Sequence, residues 1–205
     1  MEVRQAIADI AEVRDRLATV QRFGGYSGWA AVSSGLVALA AGFVQASVAP
    51  WPNDADTERG YLDIWLVCLA FALAINYGAI LVWRARNPDP QARMQVRTVG
   101  MSILPAIAAG GVITLACIER NVLMLLPGMW CATYALGIFA SRALVPRGAV
   151  AIAVAFGFVG TLLLFAPGSL ALSWWVMPIA FGGGQIAIGA IVLAERHRAH
   201  RRFVP

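Results

Sequence analysis

Six apolar stretches, each about 18 to 23 residues long and joined by short loops, dominate the chain. A hydrocarbon core roughly 30 Å thick takes about 20 helical residues to cross, and no water is available there to pair an open backbone. The expected fold class is therefore an all-α membrane protein with six transmembrane helices, at about 27–49, 62–83, 98–118, 122–141, 149–166 and 173–194. The composition agrees, with 60% hydrophobic residues, 13% charged residues and a mean hydropathy of +0.70. The intervening loops are too short to hold a separate soluble domain.

The spans pair into three hairpins, each crossing and returning. The returning members end alike, in "YGAILVWR", "LGIFASR" and "IGAIVLAER". That likeness fits a threefold repeat of a hairpin, and it equally fits the topological demand for arginine at one end of any returning helix.

Every basic residue is arginine, and fourteen of the sixteen fall before the first span, in the second and fourth connections, or after the sixth span. Arg59 and Arg120 alone lie on the other side. The positive-inside rule then predicts both termini in the cytoplasm, and the protein in a bacterial cytoplasmic (inner) membrane. The first outer loop, "PWPNDADTERGYLD", carries four acids, with Trp51, Tyr61 and Trp65 expected in an aromatic belt at the membrane surface. Topology and anionic lipid account for the net charge of +5 more economically than nucleic acid does, so no nucleic-acid partner is expected. Candidate headgroup contacts are Arg84, Arg86, Arg93, Arg97, Arg196 and Arg198.

Residues 1–23 mix acids and arginines with apolar residues and lack the basic-then-apolar order of a cleaved signal peptide. Val3, Ala6, Ile10, Val13, Leu17 and Val20 alternate in steps of three and four, which predicts an amphipathic helix. It suits either a seam for a homodimer or protein partner through residues 3–20, or a helix lying on the membrane or beneath the bundle. The domain plan is thus an N-terminal cytoplasmic amphipathic helix over 1–23, a six-helix domain over 24–195 and a basic tail over 196–205.

No ionisable residue falls in the middle third of any span; Asp63, Glu119, Arg84, Arg142 and Glu195 all lie at span ends. Proton relays, acid/base pairs and metal sites within a membrane depend on such groups, so no enzymatic activity, metal or cofactor is expected. Cys68, Cys117 and Cys131 have no metal-ligand spacing and read as apolar filler. His197 and His200 stand among arginines in "ERHRAHRR" and read as part of a solvated tail.

The neutral polar residues at depth are Asn76, Thr114, Thr133, Tyr134 and Gln185. Such side chains seek partners across helices, and they also suit the wall of a polar cavity. Asn76, Thr133, Tyr134 and Gln185 are the candidate ligand-binding residues. In "FGGGQIAIGA", Gly182, Gly183 and Gly184 offer a bare helical surface for close packing, with Pro178 four residues upstream as a source of bending. The same stretch suits a hinge, and Pro105 in the third span is a comparable weak point.

Together, "RFGGYSGWAAVSSGLVALAAG", "ILPAIAAGGVITL" and "PIAFGGGQIAIGAIVLAER" resemble a family of uncharacterised bacterial six-span integral membrane proteins. The resemblance covers nearly the whole chain. It implies a genomic context beside a small winged-helix regulator, and it supplies no catalytic or binding residue. Two functions follow as expectations: a non-enzymatic integral membrane module acting as receptor, sensor or assembly partner, or a small carrier or channel for a neutral or amphipathic solute with a midplane polar cavity.

Overall fold

A computed structural model describes residues 25–142 and 145–201. They form an all-α membrane protein in which six helices are long and apolar enough to cross a membrane. Residues 1–23, with the expected amphipathic seam, lie outside the described residues, as do the last four of the basic tail.

Helix α1 (Gly28–Val48) starts where the Ser27 hydroxyl accepts from the Ala30 amide at 3.2 Å. Asp54 and Thr57 close a capping box at the head of α2 (Ala55–Arg86). The Asp89 carboxylate caps α3 (Pro90–Arg120), which ends at Asn121 in the left-handed conformation, φ 54°. A 3₁₀ turn (Leu123–Leu125) leads into α4 (Leu126–Ala140), followed by α5 (Arg147–Phe165), the single turn α6 (Gly168–Ala171), a π-helical segment (Pro178–Gly183) and α7 (Gly184–Arg201).

Because their caps lie in polar loops, α2 and α3 extend well beyond the apolar windows read from the sequence. Their 32 and 31 residues span about 48 Å and 46 Å. The sixth span differs in the other direction. A turn at 174–175 precedes two helical residues and the π-helical Pro178–Gly183, and the long regular α-helix starts at Gly184 and continues into the basic tail to Arg201.

Helix α1 packs on α2 and on α7; α4 packs on α3 and α5; and α5 meets α7. The spatial order is therefore α2, α1, α7, α5, α4, α3. The two end members, α2 and α3, are joined by residues 87–89 yet scarcely touch. Only 11% of the apolar window of each is buried, against 50% for Leu123–Ala140.

Glycines set the tightest seams. Gly28, Gly35 and Gly42 of α1 recur every seven residues and meet Gly189, Gly182 and Pro178. A side chain at Gly189 would come within 2.6 Å of the Gly28 carbonyl oxygen, and one at Gly35 within 2.8 Å of the Gly182 carbonyl. Gly128 and Gly160 pack in the same way between α4 and α5, where a Cβ at either would lie 2.9 Å from the other's carbonyl oxygen. With hydrocarbon on every side, such close backbone approach is a main source of helix association.

The glycine triplet divides along these lines. Gly182 abuts Leu39 of α1, a Cβ at Gly184 would lie 2.5 Å from the Phe156 ring of α5, and Gly183 faces open space. Two of the three therefore serve close packing against opposite neighbours, within and just after a π-helical turn. Of the glycines that close the returning spans, Gly78 meets nothing, Gly137 meets Ala106 and Gly189 is jammed against α1. Their environments are not equivalent.

Candidate functional site

The polar side chains at depth are consumed mostly in pairs. Gln185 Nε2, near the start of α7, donates to the Tyr134 hydroxyl of α4 at 2.7 Å. The Tyr134 ring packs with Phe156 and Phe181, with ring centroids 4.7 to 5.4 Å apart. Gln185 Oε1 is buried and accepts no hydrogen bond. Asn76 of α2 belongs to a different pair: its Nδ2 donates to the Ser34 hydroxyl of α1 at 2.7 Å and to the Ala72 carbonyl at 2.9 Å. Thr133 donates to the Met129 and Trp130 carbonyls of its own helix.

Of the four candidate ligand-binding residues, then, Tyr134 and Gln185 are brought together. Asn76 is tied to α1, and Thr133 is folded back on α4. Among the described residues no hydrogen bond joins the two pairs. Of the hinge candidates, Pro178 opens the π-helical segment, whereas Pro105 lies exposed inside an unbroken α3.

The most deeply buried polar group escapes a reading based on depth in the membrane. Gln45, fully buried in α1, donates through Nε2 to the Leu172 carbonyl at 2.8 Å and accepts from Trp65 Nε1 at 2.8 Å. It ties α1 to α2 and to the turn ahead of the sixth span. Trp65 and Tyr61 are consequently core residues, 4% and 0% exposed, and not members of a surface belt; Trp51 does face outward. Tyr61 Oη is a second buried polar atom without a partner. A signal for Gln45 existed, since it continues the stripe Gly28, Ala31, Gly35, Ala38, Gly42, all buried on one face of α1. A similar tie, Trp130 Nε1 to Thr114 Oγ1 at 2.8 Å, holds α4 to α3.

At the arginine-bearing end, the foot of the fork between α2 and α3 holds an open pocket of about 230 Å³ lined by Leu81, Arg84, Ala85, Pro88 and Arg93, all exposed. Arg86 and Arg97 flank it on exposed positions. Arg196 donates to the Tyr26 carbonyl at 2.8 Å, pinning α7 to the start of α1, and Arg198 is exposed. Cys68, Cys117 and Cys131 are buried free thiols, and no group of three His, Cys, Asp or Glu able to hold a metal occurs among the described residues.

No family model, curated protein or solved structure matches the chain.

Proposed function

We propose that this multi-pass protein is a non-enzymatic membrane module, a receptor, sensor or assembly partner in which α1, α4, α5 and α7 form a rigid core that displays α2 and α3. The observation that carries this reading is the contrast in packing: carbonyl-to-glycine seams within the core, and two long helices left almost wholly uncovered beside it. Val67, Leu104 and Val112 are among the large apolar side chains turned outward on those helices. In the bacterial inner membrane, with both termini cytoplasmic, residues 3–20 supply a second contact for a partner or another copy.

Site-specific photocrosslinking in native membranes tests the reading. Crosslinkers at Val67 and Val112 are expected to trap protein, and those at Phe158 and Leu162, exposed on α5, to trap lipid only. Equal protein adducts on both faces would overturn it. Deleting residues 1–22 is expected to weaken association while leaving the bundle folded.

Two buried polar atoms without partners, Gln185 Oε1 and Tyr61 Oη, favour the second reading, a carrier for a neutral or amphipathic solute. Native mass spectrometry separates the two. A retained non-lipid molecule that is lost in Gln185→Leu favours the carrier, and a dimer retaining only phospholipid favours the assembly module.

A further inference from the structure

Two guanidinium groups, Arg84 near the end of α2 and Arg93 in the first turn of α3, line the small open pocket at the foot of the fork. Among the described residues neither side chain makes a hydrogen bond or ion pair with the protein. The acid closest in sequence, Asp89, is engaged: its carboxylate accepts from the Ala92 amide at 2.7 Å. Two like charges line one open pocket and neither is paired with a protein anion, which suits an anion from outside the protein. Guanidinium matches phosphate oxygens in bidentate geometry.

The apolar surroundings narrow the class of anion. Leu81, 61% exposed, forms the wall next to Arg84, so the cavity is amphipathic across one turn of helix. Further along the same helical faces stand Gly78 on α2 and Gly100 and Leu104 on α3. Around both glycines the space is open, so that even a methyl group there would touch nothing within 4 Å. A charged foot that opens into an uncovered apolar fork fits a molecule with an anionic head and a hydrocarbon tail. The cavity has room for a phosphate and part of a glycerol, with acyl chains running along the fork.

We propose that the base of the α2/α3 fork binds an anionic phospholipid, its phosphate held between Arg84 and Arg93 and an acyl chain lying past Leu81 between the two helices. Of the six arginines expected to meet headgroups, these two line the pocket, and Arg97 stands one turn further along the same face of α3 as Arg93. This site does not depend on the assembly reading, since a monomer that retains the lipid would sink that reading and keep this one.

The test is native mass spectrometry of the full chain released from vesicles of equal parts phosphatidylglycerol and phosphatidylcholine. Phosphatidylglycerol is expected to be retained selectively. Each single change, Arg84→Gln or Arg93→Gln, is expected to lower retention roughly tenfold, and the double change roughly a hundredfold, the scale of one charge-assisted hydrogen bond at each arginine. The pair Arg86→Gln and Arg198→Gln, exposed and outside the pocket lining, is the control, expected to stay within about twofold. Gly100→Phe, which obstructs the apolar fork and leaves both arginines in place, is expected to lower lipid retention too. Equal retention of the two lipids, or equal losses in the two arginine pairs, would overturn the proposal. Full displacement by millimolar inorganic phosphate would also overturn it, by identifying a free anion as the ligand.

Discussion

Along α1 and α7 two backbones run so close that Gly28 and Gly189 exclude any side chain, whereas α2 and α3 leave most of their apolar surface outside the protein. Both regions have helices of the same apolar class, so hydropathy alone does not separate them. The difference lies in where the small residues fall. On α1 they recur every seven residues on one face and meet their counterparts on α7; on α3, Gly100 and Gly111 meet nothing. In a membrane, where burial against protein and burial in lipid are nearly equivalent for an apolar side chain, that placement decides which helices associate tightly.

The largest effect expected from this difference is steric. Gly189→Val should destabilise the bundle by about 3 kcal/mol or prevent folding, because the new side chain meets a backbone carbonyl that cannot yield. Gly111→Val on α3 should change stability by no more than about 0.5 kcal/mol. Reversible unfolding in mixed micelles measures both. Equal costs would show that α2 and α3 are covered in the native membrane.

Next comes the polar tie within the tight region. Gln45→Leu removes the bonds to Trp65 and Leu172 and leaves a buried indole N–H and carbonyl unpaired, an expected cost of about 2 to 3 kcal/mol. A blue-shifted and less quenched tryptophan emission without loss of stability would contradict the assigned role. The Gln185 and Tyr134 pair should count for less. A double-mutant cycle with Gln185→Leu and Tyr134→Phe is expected to give a coupling of about 0.6 to 1.7 kcal/mol. A near-zero coupling would point to a different partner for the amide, in favour of the carrier reading.

The smallest expected effect concerns the first turn of α2, exposed ahead of the buried Tyr61, where the cap holds the helix end. Asp54 is fully exposed, and the hydrogen bond from the Thr57 amide holds its carboxyl below the usual carboxylate range. A group whose folded pKa is depressed stabilises the fold above its unfolded pKa, and that contribution disappears as pH falls through the folded value. Fraying at the head of α2, followed by amide exchange, should therefore increase in acid, and Asp54→Asn should flatten that dependence. Retention of the acid dependence in the variant would assign it to another group.

The six helices, their order and the short connections were legible because a bilayer imposes one length and one composition on any segment that crosses it. The helix starts at Asp54 and Asp89 were not read, because hydropathy windows begin at the apolar run and skip the polar turn in which the caps sit. Close packing by Gly182 was legible as one of two readings of the triplet. The opposite roles of Gly182, Gly183 and Gly184 were not, because three successive residues on a helix point in three directions and only the neighbours tell which are filled. Trp65 illustrates the limit. Its position near a span end fits a surface belt, and only the Gln45 carbonyl, twenty residues away in the chain, makes it a core residue.

The sequence by itself determined an all-α membrane protein of six spans, its arginine-bearing ends and the absence of charge at mid-depth, because transfer free energies act on each segment separately. Tertiary structure alone decided which polar groups meet, which helices are clamped and which are displayed, and that Arg84 and Arg93 share one cavity. Those outcomes depend on how two faces approach in space, and hydropathy, a property of one segment at a time, carries no term for that approach.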